Sequence, residues 1–320
     1  MELSKVSIII PVYKAENSIE KCIKSILDQT YKKIELLLVD DGSPDKSGEI
    51  CDKYQKDPHI KVFHTQNRGV SHARNVGLSC ATGDYITFCD SDDFYDTHFV
   101  ENMLQSALKY NSDITICGYY LEEKGYFNSS VKSESGLVNK NEVIEHCSID
   151  NEFGGFCYNK LYKAKVIGKN KFPEDMDIME DTYFLCAVSQ KAQSIYYLAE
   201  PLYYYCDNED SSVRNINNLY TNNNTVKYID AWKKVLTNFK IDEISQNYIY
   251  VSMIKFAINF RCQEKRKKHE TNIKLISNLD KTILDHRREL YICKKITWYE
   301  KVKWTLKYVF PKLHKIKKYL

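Results

Sequence analysis

The fold is decided by Asp84-Tyr85-Ile86-Thr87-Phe88-Cys89-Asp90-Ser91-Asp92-Asp93. The stretch begins as an apolar, β-prone run, which predicts a buried strand, and it ends in three carboxylates within four residues. Carboxylates this close repel each other unless a cation lies between them. Hard oxygen ligands at the end of a rigid strand suit Mg²⁺ or Mn²⁺ and leave coordination positions for the phosphates of a substrate. The same residues also fit a polar turn whose aspartates cap a helix starting at Phe94, and the stretch alone leaves both interpretations open.

Length and composition bound the rest of the chain. Its 320 residues suit one large domain or a domain with an extension, and a hydrophobic content of 43% is ample for a packed core. The 11 cysteines are odd in number and scattered, with no Cys-x-x-Cys pair, so we expect free thiols in a reducing cytosol. Residues 1–5 do not resemble a signal peptide, and no apolar stretch reaches the roughly 18 residues of a transmembrane helix. A cytoplasmic location is expected.

The net charge of +3 hides an asymmetry between the two ends of the chain. Residues 261–320 contain 18 Lys and Arg against 6 Asp and Glu, whereas residues 1–260 contain 28 against 37. The C-terminal region is therefore expected to prefer an anionic partner, and the preceding body is not.

Apolar runs alternate with stretches of helical spacing along the first 90 residues. The predicted strands are 6–12, 34–39, 60–63 and 85–88, and the predicted helices are 16–29, 47–54 and 70–78. Short loops between alternating strands and helices are typical of a doubly wound, mostly parallel α/β sheet. Further on, we predict a helix over 99–110, a strand over 113–118, a loop or hairpin over 121–140 and a strand over 201–205, with helices from about residue 217.

In such sheets ligands bind beyond the carboxyl ends of the strands. The segments expected there are Pro11-Val12-Tyr13, Asp40-Asp41, Asn67-Arg68 and Asp90–Asp93. An aromatic ring can stack on a base, a carboxylate can accept the imide N–H of uracil, and a metal ion and an arginine can neutralise a diphosphate. Neither a Gly-x-Gly-x-x-Gly nor a Gly-x-x-x-x-Gly-Lys pattern occurs, which disfavours a dinucleotide site and a P-loop.

Four motifs, in this order and spacing, resemble family 2 glycosyltransferases of the GT-A fold, in particular those that build bacterial surface glycans. They are Val6–Tyr13, Leu38–Ser43, Asn67–Asn75 and Asp90–Asp93. The resemblance covers about the first hundred residues, and the set is specific although each motif alone is weak. It implies a Rossmann-like, mostly parallel sheet and a helical C-terminal extension. It also implies Mn²⁺ or Mg²⁺ held by Asp90 and Asp92, and a nucleotide-sugar site that contains Pro11, Val12, Tyr13, Glu16, Asp41, Arg68, Arg74, Asp90 and Ser91.

Five of these residues also have a structural interpretation. Tyr13 could be a core aromatic at a strand end, Glu16 could complement a helix dipole, and Asp41 could form an Asx turn. A solvated or ion-paired surface position fits Arg68 and Arg74 as well as a phosphate contact does.

Two later segments, Asn159–Lys163 and Met179–Phe184, also resemble the family. The second resembles its Glu-Asp motif, which implies that Asp181 is the general base and that Glu180 orients the acceptor. A hydroxyl is a poor nucleophile until a carboxylate within hydrogen-bond reach takes its proton. A single base opposite the leaving group gives inversion at the anomeric carbon. An acidic pair at a helix N-terminus is the alternative.

The C-terminal residues form a basic amphipathic pattern. An apolar stripe from Trp298 to Leu320 is surrounded by lysines, and Pro311 is expected to kink or split the helix. Such helices lie in membrane interfaces, and a helix packed on its own domain or on a second subunit is the alternative. No nucleic-acid-binding motif accompanies the charge, so nucleic acid is not expected. The expected domains are 1–215, catalytic, and 216–320, helical and basic.

The prediction from sequence is an inverting, metal-dependent glycosyltransferase. It would move a hexose or N-acetylhexosamine from a nucleotide-sugar, most simply a UDP-sugar, to a sugar hydroxyl of a growing surface glycan, which could be lipid-linked. The Gln-x-x-Arg-Trp pattern of processive synthases is absent, so one addition per acceptor is expected. The alternatives are a nucleotidyltransferase, which would need a Gly-rich basic loop after the first strand, and a non-catalytic scaffold in glycan assembly.

Overall fold

The computed structural model describes residues 3–123, 126–130, 134–148, 155–206, 222–264, 273–293 and 296–309. The chain divides into two compact units. The first comprises residues 1–147 and 151–209, and the second comprises 148–150 and 210–320.

The first unit is built on one sheet. The strands are β1 Val6–Val12, β2 Ile34–Asp40, β3 Ile60–His64, β4 Tyr85–Phe88, β5 Phe94–Tyr95, β6 Ile114–Glu123, β7 Tyr126–Ser130, β8 Gly136–Val138, β9 Lys160–Lys163 and β10 Ile195–Tyr205. In the described residues their order in the sheet is β3-β2-β1-β4-β9-β6-β10-β5, with β7 added to β6 and β8 added to β10. Strands β1 to β4, β6 and β10 run in the same direction, and β9 lies antiparallel between β4 and β6. The predicted mostly parallel α/β sheet is confirmed.

Helices cover both faces of this sheet. They are α1 Ile19–Leu27, α2 Ser47–Tyr54, α3 Val70–Cys80, α4 Phe99–Lys109, α5 Lys140–Ser148, α6 Ala164–Ile167 and α7 Glu180–Ser189. Alternate residues of β1 belong to different cores, since Ile8 packs in the cluster that includes α1 and α4 and Ile9 in the cluster that includes α7. A strand buried on both faces reads as a continuous apolar run, which is why β1 could be located from sequence.

Helix α3 approaches β1 unusually closely, at a glycine. A Cβ at Gly77 would lie 2.4 Å from Cγ2 of Ile9, so a larger residue would push the helix away from the strand. This contact fixes the helix that carries Arg74 relative to the central strand.

Two strands were not expected from the sequence. The aspartates before Phe94 do not start a helix, because Phe94 and Tyr95 pair antiparallel with Tyr204 and Tyr203, and helix α4 begins only at Phe99. The ring of Phe94 stacks on that of Tyr204 at 4.4 Å. Strand β9 was also missed. Both strands are defined by pairing with distant segments, which a local pattern does not show.

The second unit is helical in its described residues. Its helices are α8 Asn222–Asn238, α9 Glu243–Glu264, α10 Ile273–Ile292 and α11 Trp298–Val309. Helix α9 contacts the other three, and its buried residues, which include Ile249, Val251 and Ile254, occur around its circumference. No described helix combines the length and apolar character needed to cross a bilayer. Residues 265–272 and 310–320, which contain much of the predicted basic pattern, lie outside the described residues.

Candidate active site

The carboxyl ends of β1, β2 and β4 lie side by side at one edge of the sheet. Val12 pairs with Asp40, and the last pair between β1 and β4 is Ile9 with Phe88. Pro11 lies beyond that last pair. Its backbone nitrogen faces the β4 side of the strand, where the pairing has ended, so the missing N–H removes no ladder hydrogen bond. Pro11 and Val12 are buried in β1, and the backbone N–H of Asp41 donates to the carbonyl of Val12 at 2.8 Å.

Asp41 is buried and organises the loop that leads into α3. Its carboxylate accepts the backbone N–H groups of Gly69 at 2.7 Å and of Arg68 at 3.1 and 3.2 Å. It also accepts the hydroxyl of Thr65 at 3.0 Å. The local Asx-type contact is made instead by Asp40, whose Oδ1 accepts the N–H of Ser43 at 3.1 Å. Asp41 thus joins the end of β2 to the start of α3.

Tyr13 and Glu16 follow β1 and are exposed to solvent. The Tyr13 side chain is 43% exposed, so its ring is not part of the core. The Glu16 carboxylate accepts the backbone N–H of Lys46 at 3.1 Å, and this bond joins the loops that follow β1 and β2. An exposed aromatic ring beside joined loops can present a flat surface to a base.

Arg68 lies on the exposed side of the same edge. Its guanidinium forms an ion pair with Glu174 at 2.9 Å, and both side chains are largely exposed. Ser91 and Asp92 are partly buried in the turn after β4.

Arg74 joins three of the predicted acidic residues. Its side chain is 4% exposed, and its Nη1 lies 2.6 Å from Oδ1 of Asp181 and 3.2 Å from Oε1 of Glu180. Its Nη2 lies 3.0 Å from Oδ1 of Asp90. The guanidinium also lies over the ring of Phe172, 5.3 Å from its centroid. The structure therefore brings the end of β4 and the first turn of α7 together around one buried cation.

The electrostatics of this cluster suit proton transfer by Asp181. Burial raises the pKa of the Asp181 carboxyl to about 7; Arg74 opposes that rise, and Glu180 and Asp90 add to it. Burial would lower the pKa of Arg74, but the three carboxylates hold it well above its usual range. Asp181 Oδ2 also accepts the N–H of Cys157 at 3.3 Å. A carboxylate with a pKa near neutrality, held in place by a fixed cation, is suited to accept a proton.

The residues after β4 have divided roles. Asp93 is buried, and its carboxylate accepts the hydroxyl of Tyr203 at 2.5 Å and the N–H of Cys206 at 2.8 Å. The Tyr203 hydroxyl in turn accepts the N–H of Asp90 at 3.3 Å. Burial and the charges of Asp92 and Asp90 raise the pKa of Asp93 well above its usual range. Asp93 thus fixes the turn that carries Asp90 and Asp92.

A divalent cation could be held by Asp90 and Asp92 with a substrate's help. Asp90 uses Oδ1 for Arg74, while its Oδ2 has no partner among the residues that the structure describes. In that part of the chain no three His, Cys, Asp or Glu side chains are grouped closely enough to hold a metal by themselves. Two hard oxygen donors fit a cation whose remaining ligands come from phosphates and water.

Sequence reasoning missed three contributors to this region: Asp93, the backbone N–H of Cys157 and the buried amine of Lys160. Asp93 belongs to the acidic cluster Asp90–Asp93, but the sequence did not indicate that its side chain is buried. A backbone donor leaves no signal in a sequence. Lys160 is fully buried and belongs to the segment Asn159–Lys163. A lysine beside the apolar residues of that segment was the signal that could have indicated it.

The chain belongs to glycosyl transferase family 2, whose model matches residues 7–170. Two curated relatives are GlyA, a glycosyltransferase of Streptococcus pneumoniae, and EpsJ, an uncharacterized glycosyltransferase of Bacillus subtilis. GlyA is 35% identical over 211 residues, which are 63% of this chain and 30% of GlyA. EpsJ is 36% identical over 214 residues, 64% of this chain and 62% of EpsJ. In both cases the match covers less than two thirds of the relative's length.

The fold is also that of solved structures. S. aureus TarS, residues 1–349, superposes with a TM-score of 0.69 at 20% identity, covering 90% of this chain and 83% of that one. A further TarS structure holds UDP-GlcNAc, with a TM-score of 0.58 at 19% identity over 94% and 78% of the two chains. The mannosyltransferase PcManGT from Pyrobaculum calidifontis, in complex with GDP-Man and Mn²⁺, gives 0.58 at 13% identity over 97% and 88%. These likenesses place the chain in the GT-A fold.

Replacing Arg74 by Lys tests the role of the buried guanidinium. A lysine keeps one charge but cannot reach three carboxylates with a planar fork, so Asp181 loses part of the interaction that opposes its rise in pKa. A carboxylate accepts a proton only when it is deprotonated. For a transfer that uses Asp181 as the base, the acidic limb of the pH–rate profile should therefore move to higher pH, with kcat reduced about tenfold or more at pH 7. An unchanged profile in a folded variant would show that Arg74 does not act on the base. Arg261→Lys, at a buried arginine that is ion-paired with Asp280 in the second unit, is the matched control.

Proposed function

We propose that the chain is a metal-dependent, inverting glycosyltransferase that moves a hexose or N-acetylhexosamine from a nucleotide-sugar to a sugar hydroxyl. The observation that carries the proposal is the Arg74 cluster. It places Asp181, with a pKa raised to about 7 by burial, beside the acidic turn after β4. For a hydroxyl to attack an anomeric carbon, the base must lie close to the site of the departing diphosphate.

The donor would bind at the loops after β1 and β2. Tyr13 offers an exposed ring for the base, and Glu16 and Asp41 belong to the loops that follow β1 and β2. Asp41 has its side-chain oxygens engaged by the loop that ends at Gly69, so it would shape the nucleoside site while accepting at most one further hydrogen bond. Pro11 and Val12 would contribute to the donor site through their backbone atoms. Arg68 and Ser91 would lie near the diphosphate. The TarS and PcManGT complexes hold UDP-GlcNAc and GDP-Man, which supports a nucleotide-sugar; UDP is the proposed nucleotide.

Asp181 would take the proton of the acceptor hydroxyl as the oxygen attacks. Glu180, on the same side of Arg74, would orient that hydroxyl. The attack occurs on the face opposite the diphosphate, so the configuration at the anomeric carbon is inverted. Arg74 does not reach substrate in this scheme, because its side chain is buried behind the carboxylates; it holds the base.

Asp90 and Asp92 would hold Mn²⁺ or Mg²⁺. Such a cation, when bound, stabilises the negative charge of the departing nucleoside diphosphate. Asp93 would keep the turn in place through Tyr203 and Cys206.

We propose that residues 1–215 perform catalysis and that residues 216–320 supply contact with a membrane or a second subunit. Helix α11 exposes an apolar face that includes Trp298, Leu306 and Val309, within a region of strong positive charge. A surface of this kind suits the anionic cytoplasmic leaflet. A lipid-linked glycan on that leaflet would then be the acceptor.

The direct test of the base is Asp181→Asn. The amide cannot accept the proton, so transfer should fall by a factor of about 10² to 10⁴ while the affinity for the nucleotide-sugar stays within about threefold. Initial rates and calorimetry with UDP-GlcNAc and Mn²⁺ measure the two quantities. Glu180→Gln should keep an acidic limb in the pH–rate profile but move it to lower pH, because the charge of Glu180 adds to the raised pKa of Asp181. Turnover close to that of the wild type in Asp181→Asn would place the base elsewhere.

The metal proposal is tested by Asp92→Asn. Removing one of two carboxylate ligands should abolish the increase in donor affinity that Mn²⁺ produces in calorimetry. Asp84→Asn, at the opposite end of β4, is the control and should bind as the wild type does. Equal Mn²⁺-dependent affinity in Asp92→Asn and the control would remove the assignment.

Membrane contact is tested by deleting residues 296–320. The full chain should float with vesicles that contain phosphatidylglycerol and not with pure phosphatidylcholine, and salt should weaken the binding, because each lysine near an anionic leaflet contributes about 1 kcal/mol. The deletion should remain in the soluble fraction. Trp298→Ala, with unchanged charge, separates insertion from attraction. Equal flotation of all three forms would instead favour a packing role for the helix.

A further inference from the structure

The turn before β9 is attached to the first turn of α7. The hydroxyl of Thr182 donates to the carbonyl of Gly155 at 3.3 Å, and the N–H of Cys157 donates to Asp181 at 3.3 Å. A Cβ at Gly155 would lie 2.2 Å from the Thr182 hydroxyl, so the contact requires glycine. Phe156 lies between Gly155 and Cys157, which both contact α7. The backbone that carries the Phe156 side chain is therefore adjacent to Asp181.

A buried lysine fixes the same turn from the other side. Lys160 is fully buried, and its amine donates to the carbonyl of Phe156 at 2.7 Å and to Oδ1 of Asn159 at 2.6 Å. Asn159 in turn donates to the carbonyl of Cys117 in β6 at 2.7 Å. Burial lowers the pKa of Lys160 to about 8. The backbone of Phe156 is thus held from both α7 and the sheet.

The ring of Phe156 is the outer member of an aromatic stack. It lies 4.8 Å from the ring of Tyr158 at an interplanar angle of 11°, and Tyr158 lies 4.3 Å from Tyr203 at 16°. Tyr158 and Tyr203 are buried, whereas Phe156 is only partly buried. In the described part of the chain, Tyr158 is the only ring that Phe156 contacts. A rigidly held, partly exposed ring is therefore carried by the segment whose backbone contacts Asp181, the proposed base.

We propose that Phe156 is the platform for the acceptor sugar. It would stack on the apolar C–H face of a pyranose ring and thereby place one hydroxyl at Asp181. The inference rests on the proposed function, which it deepens by naming the acceptor subsite. A pyranose combines an apolar face with a rim of hydroxyls. An aromatic ring on the segment that contacts Asp181 can match the apolar face, and the carboxylate can match a hydroxyl.

The test uses three probes: methyl β-D-glucopyranoside, methyl β-D-galactopyranoside and methyl N-acetyl-β-D-glucosaminide. Saturation-transfer NMR with UDP and Mg²⁺ present should show transfer to the ring protons of at least one probe in the wild type. Phe156→Leu keeps apolar bulk without the ring, and it should weaken binding of that probe about tenfold. Phe156→Tyr should bind within about threefold of the wild type. Tyr110→Leu, in a stack with Tyr196 at the amino edge of the sheet, is the matched control.

Two outcomes overturn the platform: no probe receives saturation in the wild type, or Phe156→Leu binds as tightly as Tyr110→Leu does. Donor hydrolysis without acceptor separates this proposal from the proposed function. Hydrolysis should be equal in the wild type and Phe156→Leu, since the ring acts on the acceptor alone. If the wild type hydrolyses no UDP-, GDP- or dTDP-sugar, the proposed function fails, while the glycoside measurements still decide whether Phe156 binds a sugar.

Discussion

The buried guanidinium of Arg74 is the interaction on which the site depends. It takes carboxylates from the end of β4 and the start of α7, and its own helix packs on β1 through a glycine. Burying an arginine is costly unless its charge is paired, and removing one partner of a buried pair commonly costs about 3–5 kcal/mol. The same contacts that position Asp181 therefore hold three segments together. The position of Asp181 and local stability cannot be varied independently here.

The sequence predicted the half of the fold in which local pattern and burial agree. Strands β1, β2 and β4 are buried along their whole length because helices cover both faces of the sheet, whereas the edge strand β3 is partly exposed. The predicted limits of all four strands lie within one residue of those observed. The second half was read less well. Strand β9 lies antiparallel between two parallel strands, and β5 consists of Phe94 and Tyr95 paired with the end of β10. Pairing partners that are distant in sequence decide both, so no window of local residues contains the information.

For the site, residue types could be predicted and contacts could not. Strand ends gave Tyr13, Asp41 and Asp90 because parallel strands bring their carboxyl ends to one edge. The same reasoning left Arg74 undecided between a phosphate contact and a surface ion pair, and the structure shows a buried ion-paired cluster instead. The sequence does not indicate that the Asp93 side chain is buried against Tyr203 while its neighbour Asp92 is only partly buried. Choices of this kind are made by packing.

The charge balance of the cluster gives a reason for a cation that is independent of any motif. Asp90, Glu180 and Asp181 share one guanidinium, and Asp92 adds a further acid on the same turn. A nucleoside diphosphate brought to this edge would face an excess of negative charge, and at an effective dielectric constant of 20 each pair of like charges 4 Å apart costs about 4 kcal/mol. Arg74 carries a single positive charge and offsets only one of these negative charges. The oxygen of Asp90 that Arg74 does not contact is therefore a position where added positive charge would lower the repulsion.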